Sequence, residues 1–282
     1  MTIKILDEST CTEIRTRVLA NCRDRTGYAD ACDPQNGCTW PARGPTSGFR
    51  LDADGGFHVQ DAKGPLRCAC IKDRFSAARC LAEAGFSWRL LADHFLADIE
   101  VVDRAALDAF VVDPRRVYAD GRALYVWGRQ IGQGKTTLAT LVAAQLWTWK
   151  RDNRSGGYPG ACFMQMLDFC ERAWVGREGF VEDLDEGIEF GRRKVDLWAV
   201  AGPLVIDEVG REASSTAKAA AGRSMLEMML RDRQRQPAPT ILCGSLEPAD
   251  IAARLGEQVD SLLSEMATFV EVVGPDRRRK NQ

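Results

Sequence analysis

In the second half of the chain, short apolar runs alternate with longer stretches whose apolar residues recur at three- and four-residue spacing. Residues 124–127 (LYVW), 161–166 (ACFMQM), 203–208 (PLVIDE), 240–245 (TILCGS) and 268–273 (TFVEVV) read as buried strands. The intervals between them can hold crossover helices. Runs that are apolar throughout, without a polar face, belong to a parallel sheet covered on both sides. The pattern predicts an α/β core over residues 101–282.

Ahead of that core the pattern differs. Residues 23–67 are rich in Gly, Pro, Asp and Arg, carry turn signals at Asp33-Pro34, Asn36-Gly37 and Gly55-Gly56, and lack a helical period. They read as loops and short hairpins. From Asp73 helical spacing takes over, through FSAARCLAEAGF and RLLADHF. A boundary is therefore expected near residue 100, between an N-terminal domain (1–100) and the core, with residues 103–120 forming a helix and a short turn.

Composition narrows the class. With 45% hydrophobic and 28% charged residues the chain resembles an ordinary soluble protein. No apolar run approaches the roughly 18–20 residues of a membrane span. The first residues mix charges throughout and do not form a secretory signal, so a cytoplasmic location is expected. The net charge of -2 means that any nucleic-acid contact must use local basic surface, and the one concentrated basic run is RRRK at 277–280. Seven of the ten cysteines (Cys11, Cys22, Cys32, Cys38, Cys68, Cys70, Cys80) fall in the first 80 residues. In a reducing compartment such a cluster points to zinc before disulfides. A turn-rich stretch that buries little apolar surface also gains from a metal.

Two motifs carry the chemistry. The strand at 124–127 runs into GRQIGQGKTTLATLVAAQLW, a glycine-rich loop ending in Gly134-Lys135-Thr136 and opening directly into a helix with an apolar face. This is the arrangement a phosphate requires. Gly132, Gln133 and Gly134 turn backbone N–H groups inward, the helix start adds positive charge, and Lys135 bridges the outer phosphates. Thr136 is the candidate magnesium ligand, with Thr137 beside it. The usual pattern has glycine six positions before the lysine, where this chain has Arg129, with Gly128 one position earlier. The second motif, GPLVIDEVG, places Asp207 and Glu208 at the end of an apolar strand. In P-loop ATPases the first carboxylate supports magnesium and the second polarises the attacking water. The strand at 240–245 is expected beside the acidic one, bringing Ser245 near the γ-phosphate.

With LYVWGRQIGQGKTTLA, GPLVIDEVG, RDRQRQPAPTILCGSLEPADIAARLGEQV and the terminal GPDRRR, the chain resembles AAA+ helicase loaders of the DnaC type and their transposition relatives of the IstB type. Many phage and bacterial loaders carry a small cysteine module and a basic helix before the core, and CRDRTGY (22–28), CTW (38–40) and CACIKDRFSAARCLAEAGF (68–86) look like that layout. Zinc takes four thiolate or imidazole ligands, usually as two close pairs. Cys68 and Cys70 form one candidate pair. The second stays open among Cys22, Cys32 and Cys38, with His58 as a replacement. Cys11 and Cys80 lie in helical stretches and read as core residues.

The resemblance implies an ATPase module that self-associates, grips single-stranded DNA with ATP bound, and holds a hexameric replicative helicase through its N-terminal domain. Arg192, Arg193 and Lys194 are candidates for DNA contact, although a solvated basic helix face is the favoured reading of them. Two departures stand out. Ser245 occupies the family's asparagine position, and Leu262 the position of the arginine finger. Arg254, Arg231 or Arg233 then substitutes, or hydrolysis is slow and ATP acts mainly as a binding switch. Arg277 or Arg278 falls at the family's sensor position. The expected function is ATP-dependent loading of the helicase onto single-stranded DNA, with ATP-gated regulation of a transposase as the alternative. Metal analysis of the purified protein is expected to return about one zinc per chain; a metal-free protein would remove the zinc reading.

Overall fold

The computed structural model describes residues 9–10, 12–14, 17, 49–51, 57–61, 64–67, 77–94, 96–153, 160–171, 201–211 and 216–276. Strands β1 (Phe49–Leu51), β2 (Phe57–Asp61) and β3 (Gly64–Arg67) form a small antiparallel sheet in that order, built from the turn-rich part of the sequence. A helical segment at 77–83 and α1 (Trp88–Asp93) follow. Next come α2 (Arg104–Val112) and α3 (Pro114–Ala119). Asp113 separates them: it ends α2, and its carboxylate accepts the Arg116 N–H at 3.0 Å to start α3, with Pro114 in the first helical position. The helix and short turn expected over 103–120 are therefore two helices.

The remaining elements are β4 (Ala123–Trp127), α4 (Lys135–Asp152), β5 (Cys162–Gln165), β6 (Leu204–Val209), α5 (Thr216–Arg235), β7 (Thr240–Gly244), α6 (Ile251–Leu255), α7 (Glu257–Met266) and β8 (Ala267–Glu271). All five expected apolar runs are strands. They form one parallel sheet in the order β5-β6-β7-β4-β8. Strand β7 thus lies between β4, which leads into the glycine loop, and β6, which carries the acidic pair.

Alternation along each strand divides the core in two. Leu124, Val126, Val205, Ile241, Cys243 and Val270 pack on the side of α4, whereas Tyr125, Ile206 and Leu242 pack with Leu226 and Leu230 of α5 and Val259 and Leu263 of α7. Helix α4 is buried continuously from Leu138 to Thr148. A helix apolar all round needs cover on its outer face, and the cluster that contains it also holds Ala77, Leu81, Leu91, Leu107, Phe110 and Val117. Each large side chain buried this way contributes roughly 1.5–3 kcal/mol. The buried cluster runs without a break across residue 100, so residues 77–99 pack with the face of the sheet.

Both sheet edges are met by preceding chain. The Phe163 N–H of β5 donates to Ala84 O at 3.1 Å, and the Phe86 and Phe163 rings sit 5.4 Å apart. At β8, Val102 N–H donates to Glu271 O at 2.9 Å, and Val273 N–H to Glu100 O at 3.0 Å. Paired edges cannot template association with another strand.

Arg233, a candidate substitute for the arginine finger, is 2% exposed and fully engaged within the fold. It donates to Thr240 Oγ1 (2.9 Å), Gly202 O (2.8 Å) and Pro239 O (2.6 Å), joining the end of α5 to the starts of β6 and β7. Burial lowers its guanidinium to about 10, so it stays a cation at neutral pH. It ties the strands at the end opposite the glycine loop and is not placed to reach a neighbouring subunit. Arg233→Ala is expected to lower the unfolding free energy by about 2–4 kcal/mol, read by urea denaturation, because three buried acceptors lose their donor.

Candidate functional site

The glycine loop takes its shape from backbone conformations that side chains resist. Gly132 and Gly134 have φ of +81° and +107°, the left-handed region open to glycine. Gly134 is the N-cap of α4, and no side chain caps that end. A helix start of this kind offers its first N–H groups and its positive dipole end to an anion. Lys135 folds back over the loop, and its Nζ donates to Gly128 O (2.9 Å) and Gln130 O (2.6 Å).

The shifted first glycine has a structural reason. A Cβ on Gly128 would lie 2.6 Å from Val272 O and 2.7 Å from Gln133 Oε1, so this position at the loop entry leaves no room for a side chain. Arg129 and Gln130, which follow it, are exposed. Arg129 turns outward and pairs with Glu247, Nε to Oε1 at 2.6 Å and Nη2 to Oε2 at 3.2 Å. The Gln133 side chain is buried within the loop. Its Oε1 accepts the Gln130 N–H (3.0 Å), and its Nε2 donates to Gly274 O (3.4 Å). The segment after β8 therefore packs along the loop, with the Asp276 carboxylate directly over Gly132. None of these side-chain ties is marked in the motif itself.

Asp207 is buried at 7% exposure and accepts three hydrogen bonds from three places in the chain. Its Oδ2 accepts from Thr136 Oγ1 at 2.8 Å. Its Oδ1 accepts from the Glu208 N–H at 2.8 Å and from Cys243 Sγ at 2.9 Å. Burial first, and then the Asp207 carboxylate, push the Cys243 thiol well above its usual range, so it is a neutral S–H donor. Glu208 has φ of +60°, and the β6–β7 register shifts between Ile206 and Val209. A bulge with a strained residue recurs where a side chain must be aimed at a site. The Glu208 carboxylate is held by Arg211, Oε1 to Nη1 at 2.7 Å.

Thr137 lies half-buried in the first turn of α4. Ser245 is exposed just beyond β7, in the strand order expected. The chain beyond it is anchored by the Tyr125 hydroxyl donating to Leu246 O at 3.0 Å. Leu262 is a buried member of the α7 core. Among the remaining arginine substitutes, Arg231 pairs with Glu227 at 2.9 Å on α5, whereas Arg254 reaches the acidic motif, Nη2 to Gly210 O at 3.3 Å. Cys80 is half-buried against the α4-side core. Cys11, Cys22, Cys32, Cys38, Cys68, Cys70, Arg192, Arg193, Lys194, Arg277 and Arg278 lie outside the described residues, as does the side chain of His58.

The Thr136 hydroxyl and Asp207 carboxylate supply hard oxygen atoms side by side at the loop, a donor set whose chemistry fits Mg2+. Among the described residues, no group of three or more His, Cys, Asp or Glu can hold a metal, so the expected zinc site has no support there. No helix of the described residues is long and apolar enough to cross a membrane.

No family model and no curated protein matches the chain. Among solved structures it is similar to the DnaC helicase loader, with 21% identity, 63% of this chain and 96% of that one covered, and a TM-score of 0.43. A putative primosome component from Streptococcus pyogenes serotype M3 is similar at 20% identity, with coverage of 69% and 93% and a TM-score of 0.43. AMPPCP-bound DnaA from Aquifex aeolicus is similar at 16% identity, with coverage of 63% and 49% and a TM-score of 0.42. Superposition at this level assigns no family, and the functional reading rests on the motifs and the geometry of the loop. Gln133→Ala is expected to speed amide exchange in a peptide spanning 128–134 by about tenfold or more, because the Gln130 N–H loses its acceptor; unchanged protection would remove the bracing role.

Proposed function

We propose that the chain is a P-loop ATPase of the AAA+ type that loads a hexameric replicative helicase onto single-stranded DNA. The observation that carries the ATPase reading is the 2.8 Å contact between Thr136 and Asp207, which brings the glycine loop and the acidic strand to one point across β7. Ligands of open α/β sheets bind at the carboxyl ends of the strands, and both motifs stand there. The loader reading is supported by the ordered motifs that resemble the DnaC type.

In this reading Gly132, Gln133, Gly134, Lys135, Thr136 and Thr137 receive the ATP phosphates through backbone N–H groups and the lysine ammonium. Lys135 exchanges its two carbonyl acceptors in the loop for phosphate oxygens. Thr136, with Asp207 beside it, would hold a Mg2+ ion, which when bound would supply positive charge to the phosphates. Glu208 leaves Arg211 to polarise the attacking water, and Ser245 orients it. Arg278, or Arg277, reaches the γ-phosphate. Leu262 supplies no cation, so Arg254, adjacent to the acidic motif, is the substitute that geometry favours. Without a cation at this place, hydrolysis is slow and ATP serves as a binding switch, because a transition-state arginine contributes about 10³–10⁵ in rate.

Residues 1–100 carry the partner-binding part, with zinc held by four of Cys22, Cys32, Cys38, Cys68 and Cys70, and residues 101–282 the ATPase part, the two joined where residues 77–99 pack onto the sheet. Partners are the helicase ring, single-stranded DNA and further copies of the chain. Lys135→Ala is expected to weaken ATP binding by at least about tenfold in calorimetry, since a charge-assisted contact is lost. Glu208→Gln is expected to keep ATP affinity while lowering phosphate release by about 10²–10⁴-fold; turnover equal to wild type would remove Glu208 from catalysis. Mixing the chain with its host's replicative helicase, with and without ATP, is expected to give a complex of defined stoichiometry by mass photometry. ATP-dependent assembly on DNA with no helicase complex would instead favour the transposase regulator.

A further inference from the structure

We infer that Cys243 is a positioning residue for the magnesium requirement of the nucleotide site: its thiol holds the Asp207 carboxylate from behind so that the opposite oxygen stays aligned with Thr136. The inference deepens the proposed nucleotide site and rests on it. Three observations carry it.

The first is register. Strands β6 and β7 are parallel, with Val205 opposite Ile241 and Ile206 opposite Leu242. The pairing then shifts to Val209 opposite Gly244, so Asp207 and Cys243 each lie one residue past the last regular pair, and Val205 and Cys243 share the α4 face of the sheet. Two residues far apart in sequence are thus placed together by the sheet, with Cys243 Sγ 2.9 Å from Asp207 Oδ1.

The second is the division of labour between the two carboxylate oxygens. Oδ2 faces Thr136, the proposed ion ligand, whereas among the described residues Oδ1 accepts from Cys243 and the Glu208 N–H. The Glu208 N–H belongs to a residue at φ of +60° inside a bulge, in a backbone that must let the Glu208 side chain leave Arg211. The thiol comes from a strand buried along its whole length, hydrogen-bonded on both sides to β4 and β6. Of the two donors to Oδ1, Cys243 is the one whose position does not depend on the bulge.

The third is burial. Cys243 has no exposed surface, so its sulfur does not touch ligand or solvent and acts through Asp207 alone. A carboxylate with a fixed rotamer loses less freedom when it orders an ion's water shell, the usual role of a partner behind the ligand.

The test compares Cys243→Ser, which keeps a donor, with Cys243→Ala and Cys243→Val, which lack one and differ in volume. Binding of a fluorescent ATP analogue, mant-ATP, is titrated against Mg2+, with thermal melts establishing that each variant is folded. Removing the donor is expected to raise the half-saturating Mg2+ concentration by about three- to tenfold in the folded Ala or Val variant, with Ser within about twofold of wild type. Affinity for mant-ATP without Mg2+ is expected to stay unchanged, a separation that a merely structural loss would not produce. An unchanged Mg2+ requirement in Ala and Val, or a Ser variant displaced as far as they are, would overturn the assignment. Asp207→Asn separates this outcome from failure of the site: if wild type and Asp207→Asn bind mant-ATP with the same Mg2+ dependence, the nucleotide site itself is misread.

Discussion

A carboxylate taken out of water must be met by hydrogen-bond donors, or it costs several kcal/mol to bury. Asp207 meets that demand with a hydroxyl from the start of α4, a thiol from β7 and the N–H of the residue that follows it. Each donor depends on a different part of the fold. The hydroxyl requires that the glycine loop end where it does, the thiol requires the parallel register of β6 and β7, and the N–H requires the bulge at Glu208. Satisfying one buried side chain therefore fixes the relation between loop, acidic strand and centre strand.

The glycine loop is held by a second set of contacts, from the opposite side. Gln133 joins Gln130 to Gly274, and Gly128 approaches Val272 too closely to carry a side chain. The chain just before the C-terminal basic run is consequently part of the loop's wall. Asp276 lies over Gly132 in the same segment, and the arginines of the terminal run follow at once in sequence. A change of shape at the loop and a change of path after β8 are mechanically linked, because interiors packed at this density do not deform at one point alone.

Charges near the site are mostly engaged. Lys135 rests on loop carbonyls, Glu208 on Arg211, and Arg129 on Glu247. These pairs are partly exposed and contribute little to stability, so they can be exchanged at small cost. Arg233 is different: it is buried, fully hydrogen-bonded and remote from the loop, and its place is in the sheet. Leu262 likewise fills the α7 core, where an arginine in the same rotamer would bury a charge.

Much of the fold was legible along the chain because its signals are local. Five apolar runs became five strands, since a strand covered on both faces has no polar side to display. The glycine loop, Lys135, Thr136 and the Asp207–Glu208 pair were legible for the same reason, being short motifs whose spacing is part of their chemistry. Strand order is not written locally, and from it follow the Asp207–Cys243 pair, the close approach of Gly128 to Val272, the burial of Arg233 and the continuity of the core across residue 100. Cys243 read only as a cysteine in an apolar run, and Gln133 only as a backbone donor of the phosphate loop. Each acquired its role when the sheet brought it against a residue far away in the sequence, a relation between surfaces that no local pattern of side chains contains.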